Sequence, residues 1–305
     1  MTYCVAFLLD AGLVFASDSR TNAGVDYISS YSKMHVFQPA ADRLFVLLAA
    51  GNLATTQAVL NRIQRDLHGP AGPGTPPSPP ATPTLSSAFH PGPGSRNEAR
   101  ATQEGTLAAP ADASPASAGA TAPAAPCAAA PPDLQTARYL FEAADYVGRI
   151  SVAVQEQFAS QMQQSGGSAQ ASFILGGQIA GEGHGLFLIY PQGNAVMATR
   201  DTPFLQIGES KYGKPPLDVV GHCGLSLEDA ARLCLISQVV TRRSNLTVGP
   251  PFELALMPAD GLRISRRIKL DKDSAEISRS MEIWASCMQD GLRRLPRFAW
   301  EEDPL

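Results

Sequence analysis

A threonine directly behind the initiator methionine, in "MTYCVAFLLD", stands where a hydroxyl side chain can do chemistry that it could not do elsewhere in a chain. Methionine ahead of a small residue is a substrate for trimming, and its loss would give Thr2 a free α-amine beside its own hydroxyl. One residue would then supply a nucleophile and, with an unperturbed amine pKa of about 8, a general base acting directly or through a water. The amine serves as a base only when neutral, so a nearby cation or desolvation must lower its pKa. Lys33, in "SSYSKMHVF", is the candidate cation, and Asp18, in "FASDSRTNAG", is the carboxylate that balances it. That balance is needed because leaving one partner of a buried ion pair alone costs about 3–5 kcal/mol. A main-chain amide near Gly51, in "LLAAGNLA", would face the oxyanion of a tetrahedral intermediate, since glycine lets a substrate approach the backbone closely. Taken singly, Asp18 reads as a turn residue, Lys33 as a solvated charge and Gly51 as a strand end. Their order along one short stretch is what makes them a site.

Such a site needs elements that hold its members together. Apolar runs at 3–9 and 13–17, joined by a turn at Asp10-Ala11-Gly12, predict a strand hairpin carrying Thr2 at one end and Asp18 at the other, and 43–50 predicts a strand ending at Gly51. Helical spacing follows over 53–67 and again over 137–158. Short apolar stretches at 171–179, 185–190 and 194–199, separated by Gly, Pro and Asn, predict an antiparallel meander, with His184 in a hairpin turn. Ser226 is placed to cap a helix over 227–243, whose C-terminal Arg242 and Arg243 suit its dipole. Strands near 252–258 and 262–268 and an amphipathic helix at about 273–291 complete the order. Strands, two helices, strands, helix, strands, helix is satisfied by an α+β fold: two antiparallel sheets face to face with helices on both outer faces, a four-layer αββα sandwich.

One segment stands apart. Residues 69–132 hold 15 of the 25 prolines in a background of Ala, Gly and Ser, which remove backbone donors and offer little area to bury. The segment is expected to be a disordered insertion joining the two helices within one domain spanning 1–305. Without it about 240 residues remain, a comfortable single domain.

Composition narrows the function. The net charge of −4, without a Lys/Arg block, argues against nucleic acid, and no run approaches the roughly eighteen apolar residues of a membrane span. The early apolar run is interrupted by Asp10 and lacks the flanks of a secretory leader, so a cytoplasmic protein is expected. The 5 cysteines and 5 histidines are scattered, with no metal-ligand spacing and no pairing that suggests disulfides, and the glycines of "GGQIAGEGHG" lack the Lys-Ser/Thr ending of a phosphate loop. Neither a metal nor a cofactor is expected.

The ordered set of Thr2, "ASDSR", "SKMHVF" and a strand ending in "AAGN" resembles the β-type subunits of proteasome-like proteases, among the N-terminal-nucleophile hydrolases. More narrowly, "MTYCVAFLLDAGLVFASDSRTNAGVDYISSYSKMHVF", "QIGESKYGKPPLD" and "SNLTVGPPFEL" resemble the Anbu, or ancestral β-subunit, family over nearly the whole chain outside 69–132. The resemblance implies the αββα fold, a threonine endopeptidase with Thr2 as nucleophile supported by Asp18 and Lys33, and self-assembly into rings or ring-like helical turns acting on peptides or unfolded protein. It leaves open an unidentified ATPase partner. Proteasome subunits hold the nucleophile with Gly-Ser-Gly and Asp-x-x-Ser-Gly segments, where this chain has "GESKYG" and "SNLTVG". Ser210, Asn245 and Thr247 are the substitutes the resemblance offers. The departure keeps two other readings in view: a weakly active or non-catalytic assembly subunit, and an amidase of the same superfamily acting on a small molecule.

Overall fold

The structure is a computed structural model and describes residues 2–22, 28–69 and 131–301. Met1 and all but the ends of the expected insertion lie outside the described residues. The described chain is a mixed α+β protein. In order it contains strands β1 (Tyr3–Leu9), β2 (Gly12–Asp18), β3 (Arg20–Asn22), β4 (Ile28–Ser30), β5 (Met34–Ala40) and β6 (Arg43–Gly51), then helices α1 (Leu53–His68) and α2 (Leu140–Gln164). Strands β7 (Ala171–Ile179), β8 (Gly185–Ile189), β9 (Ala195–Met197) and β10 (Phe204–Gly208) follow, then helices α3 (Ser210–Val220) and α4 (Leu227–Ser244), strands β11 (Phe252–Pro258) and β12 (Arg266–Leu270), and helix α5 (Ala275–Arg293).

The strands form two antiparallel five-stranded sheets, ordered β10-β1-β2-β11-β12 and β5-β6-β7-β8-β9, with β3 and β4 paired as a separate ribbon. Because successive side chains leave a strand on opposite faces, each central strand feeds two apolar layers. Cys4, Ala6, Leu13, Phe15 and Met257 of the first sheet pack with Val46, Leu48, Ile174 and Leu186 of the second. The alternate residues Tyr3, Val5, Phe7, Val14 and Leu254 pack with Leu217 of α3, Cys234 and Val239 of α4 and Ile277 of α5. On the far side of the second sheet, Phe45, Leu47, Phe173 and Leu175 pack with Val59 and Ile63 of α1 and Ala143 and Val147 of α2. Both faces of both sheets are thus occupied, and β2, central in its sheet, is buried along its whole length.

Several elements differ from the sequence reading. Helix α2 starts at Leu140, not 137, because Asp133 first closes a turn onto the amides of Gln135 and Thr136 at 2.9 Å, and the Glu142 carboxylate then accepts from the Arg138 amide at 2.7 Å. Strand β12 starts at Arg266, since Asp260 and Leu262 hold positive φ angles of 55° and 42° that a strand cannot contain. Strands β5 and β10 and helix α3 were not anticipated, the last carrying Pro215 and Pro216 inside it. Ser226 caps α4 as expected, accepting from the Asp229 amide at 3.1 Å. Among the described residues no helix is long and apolar enough to cross a membrane.

Candidate active site

Thr2 sits immediately before β1 and is held by its main chain. Its carbonyl accepts from the Glu209 amide at 2.7 Å, and Tyr3 pairs with Gly208 across β1 and β10. Gly208 has φ +83°, and a Cβ there would strike the Thr2 carbonyl, so the turn into α3 closes on Thr2 only as glycine.

Asp18, at the end of β2, is fully buried. Its Oδ1 accepts from the Lys33 ammonium at 2.7 Å and from the Tyr3 amide at 2.9 Å, and its Oδ2 accepts from the Gly249 amide at 3.3 Å. Burial pushes the Asp18 carboxyl above the ordinary carboxylate range, while the Lys33 ammonium and the amides of Tyr3 and Gly249 pull it back. Lys33 itself is only 7 % exposed; its ammonium also donates to the Arg20 carbonyl at 2.7 Å, and its own carbonyl accepts from the Ala49 amide at 3.0 Å. The ion pair therefore joins β2 to β5 and β6, and through the Tyr3 amide it touches the residue that follows Thr2.

A cavity of about 230 Å³ opens here, lined by Thr2, Thr21, Lys33 and Gly51 together with Tyr31, Ser32, His35, Ala49, Leu53, Thr56 and Leu60. Gly51 ends β6 with φ +119°, where a Cβ would collide with the Gln170 carbonyl and lie 2.8 Å from the Ala171 Cα. Its conformation and its contact with the strand that follows require glycine. The Thr21 hydroxyl is buried and has no partner among the described residues. Burial holds His35 below the ordinary imidazole range, so Lys33 is the charged side chain on this wall and His35 is neutral near neutral pH.

The three further residues divide. Asn245 caps the C-terminus of α4; its amide nitrogen donates to Glu209, and its Oδ1 accepts from the Thr247 hydroxyl at 2.6 Å and the Thr247 amide at 3.0 Å. These two residues thus brace the turn whose amide holds the Thr2 carbonyl. Ser210 opens α3 and lines a different depression, with Gln206, Phe204 and Lys214. His184 lies in the turn between β7 and β8, its Nε2 2.8 Å from the Leu9 carbonyl. His35, Ser19, Ser32 and Glu253, which gather around the ion pair, carry no signal in local spacing; the one available hint is a lone carboxylate in the apolar run "FELALMP". Among the described residues no group of three or more His, Cys, Asp or Glu could hold a metal ion.

Chemically, the cavity offers a hydroxyl residue at the head of a fixed strand, a buried cation whose charge is balanced, and a glycine main chain on the facing wall. No protein-family model matches the chain, and no curated protein matches it. Solved structures do. The Anbu (Gly-1) mutant from Hyphomicrobium sp. strain MC1 is 33% identical over 98% of this chain and 99% of that one, with a TM-score of 0.72. Anbu (ancestral β-subunit) from Yersinia bercovieri is 33% identical over 97% and 98%, with a TM-score of 0.71. The helical assembly of the Anbu complex from Pseudomonas aeruginosa is 34% identical over 99% and 100%, with a TM-score of 0.70.

Proposed function

Since the chain belongs to the Anbu, or ancestral β-subunit, family, we propose that it is a cytoplasmic threonine peptidase subunit whose sheets and helices form the αββα sandwich of N-terminal-nucleophile hydrolases. Removal of Met1 frees the Thr2 amine. The Thr2 hydroxyl attacks a peptide carbonyl and passes its proton to that amine, directly or through a water, while an amide at Gly51 faces the oxyanion. The C–N bond then breaks, the ammonium of Thr2 returns the proton to the leaving amine, and an acyl ester remains. Water attacks the ester, its proton going to the Thr2 amine and on to the departing threonine oxygen, which restores the site. Lys33 favours the neutral amine by its positive charge, and Asp18 balances that charge at 2.7 Å.

The observation that carries this reading is that Lys33, paired with the buried Asp18 at 2.7 Å, lines the same cavity as Thr2. A buried pair stabilises a fold little compared with apolar residues of the same size, so its position beside a hydroxyl nucleophile favours a chemical role. Apart from Lys33 the wall is largely apolar, with Tyr31, Ala49, Leu53 and Leu60, and suits peptides with a medium-sized apolar side chain before the cleaved bond. The likeness to a helical assembly supports ring-like or helical self-association of this chain as well.

Ser210 favours a second reading, in which catalysis is weak and the subunit acts in assembly, because it lines another depression than Thr2 does. Hydrolysis of a panel of fluorogenic peptides separates the two. Wild-type protein is expected to cleave after apolar residues in preference to acidic ones, and Thr2→Ala to fall to background at an unchanged melting temperature. Equal hydrolysis by Thr2→Ala would exclude the peptidase.

A further inference from the structure

Glu253 is the one charged residue in β11 and is 4 % exposed. A carboxylate in such a place is costly to bury unless every lone pair is used, and here both oxygens are. Oε1 accepts from the Ser19 hydroxyl at 3.0 Å; Oε2 accepts from the Ser32 hydroxyl at 3.2 Å and from Arg267 at 3.2 Å. Ser19 is the residue after Asp18, and Ser32 is the residue before Lys33. One carboxylate therefore grips the chain on both sides of the ion pair, from a strand paired with β2 so that Glu253 lies opposite Ser17. The two gripped segments also meet through the Tyr31 amide, which donates to the Ser19 carbonyl at 2.9 Å. The single Ser32 hydroxyl proton lies between Glu253 and the Met34 carbonyl, 3.0 Å away, and the Ser32 oxygen accepts from the Met34 amide at 3.4 Å.

Nothing in β2 or β5 alone fixes how far the Lys33 ammonium stands from Asp18, because a lysine side chain has four rotatable bonds and its segment enters from the other sheet. The Arg20 carbonyl and the Ala49 amide hold Lys33 itself, and the Glu253 carboxylate adds a constraint on the segments that carry Asp18 and Lys33. We propose that Glu253 is a positioning residue, which sets Lys33 against Asp18, and through them the Thr2 amine, by holding Ser19 and Ser32. The inference rests on the peptidase reading. It does not require Glu253 to touch substrate, since Glu253 does not line the cavity.

The test is the rate of Thr2 acylation by a β-lactone on the full chain, followed by intact mass over a range of lactone concentrations. Wild-type protein is expected to add one lactone at Thr2. Glu253→Gln keeps the shape but removes the charge, so the charge-assisted bonds from Ser19, Ser32 and Arg267 weaken. Its limiting acylation rate is expected to fall about 10- to 100-fold, the cost of a small misplacement of reacting groups, with the half-saturating concentration within about twofold of wild type. Ser19→Ala, which leaves the cavity wall untouched, is expected to fall in the same way, and the double variant to fall no further than Glu253→Gln alone. Wild-type rates in Glu253→Gln, an effect confined to the half-saturating concentration, or multiplying effects in the double variant would overturn the positioning role while leaving the peptidase reading intact. A wild-type protein unmodified at Thr2 would overturn both. If Glu253→Gln does not fold, Ser19→Ala decides: a slowed limiting rate supports the role and a wild-type rate overturns it.

Discussion

At Asp18, burial and pairing work in opposite directions, and the balance can be measured. Lys33 exerts the strongest pull lowering the Asp18 carboxyl pKa against desolvation. Lys33→Ala removes it and leaves a buried carboxylate with only two amide donors, so the variant is expected to lose about 3–5 kcal/mol at neutral pH. The sign of its pH dependence follows. An acid whose folded pKa lies above its unfolded value binds more protons folded than unfolded, so stability falls as pH rises through that interval. Relative to wild type, Lys33→Ala should therefore recover as pH drops from 8 towards 5 in urea titrations; a constant deficit would mean that Asp18 is not the group left unpaired. At this scale the sequence points to Thr2, Asp18, Lys33 and Gly51 because each lies at or near the end of an early strand; the β1–β2 hairpin carries the first two, and the other sheet brings Lys33 and Gly51 to them. The sequence offers only a lone carboxylate in an apolar run for Glu253 and nothing for Ser19, and the two meet because β11 pairs with β2 across 234 positions of chain.

Among the elements, the head of β1 is fixed less by its apolar residues than by what α3 and α4 present to it. The Tyr3 hydroxyl is buried, 2.6 Å from the Ser237 hydroxyl, and accepts from Gln206; the Ser237 hydroxyl also lies 2.7 Å from the Gly213 carbonyl, and Gln238 donates to the Tyr3 carbonyl at 3.1 Å. Burial pushes the Tyr3 phenol well above its ordinary range, against the hydrogen bonds with Ser237 and Gln206 that pull it back, so it stays a neutral hydroxyl. Tyr3→Phe strands the buried groups that met that hydroxyl and is expected to cost about 1–3 kcal/mol, read as a lower urea midpoint at unchanged slope. Gly208→Ala drives a methyl into the Thr2 carbonyl and is expected to lose Thr2 acylation as well as stability; retained acylation would show that the turn does not set the nucleophile. Helix α3 and strand β10, which build this enclosure, are hard to read locally: Pro215 and Pro216 break the helical signal, and "FLQIG" is short and mixed. The central strands and α4 are legible because their apolar alternation and the Ser226 cap point the same way as the tertiary packing.

For the molecule as a whole, the described chain leaves α1 and re-enters before α2 at one place. Gln135 donates to the Leu67 carbonyl at 2.6 Å, and Arg43 donates to the carbonyls of Leu134 at 3.4 Å and Ala137 at 2.9 Å. The two ends of the proline-rich segment are anchored together by these contacts, so a short Gly/Ser linker in place of residues 71–130 is expected to leave the melting temperature and Thr2 acylation unchanged. Loss of the fold would show that the segment belongs to the domain core. The expectation rests on composition, the prolines of this segment among Ala, Gly and Ser. Self-association has no such compositional signature: whether an exposed apolar face is covered depends on a second copy. Size-exclusion chromatography with light scattering should give an assembly of many subunits, and a monomer at high concentration would remove self-association from the proposal.

The central claim is that Thr2 becomes the N-terminal residue and acts as the nucleophile. Intact mass of the purified protein, before and after treatment with a β-lactone and followed by peptide mapping, tests it most directly. The predicted result is a chain lacking Met1 that gains the mass of one lactone on Thr2, and no adduct in Thr2→Ala. Retention of Met1, or an adduct that persists in Thr2→Ala, would contradict it.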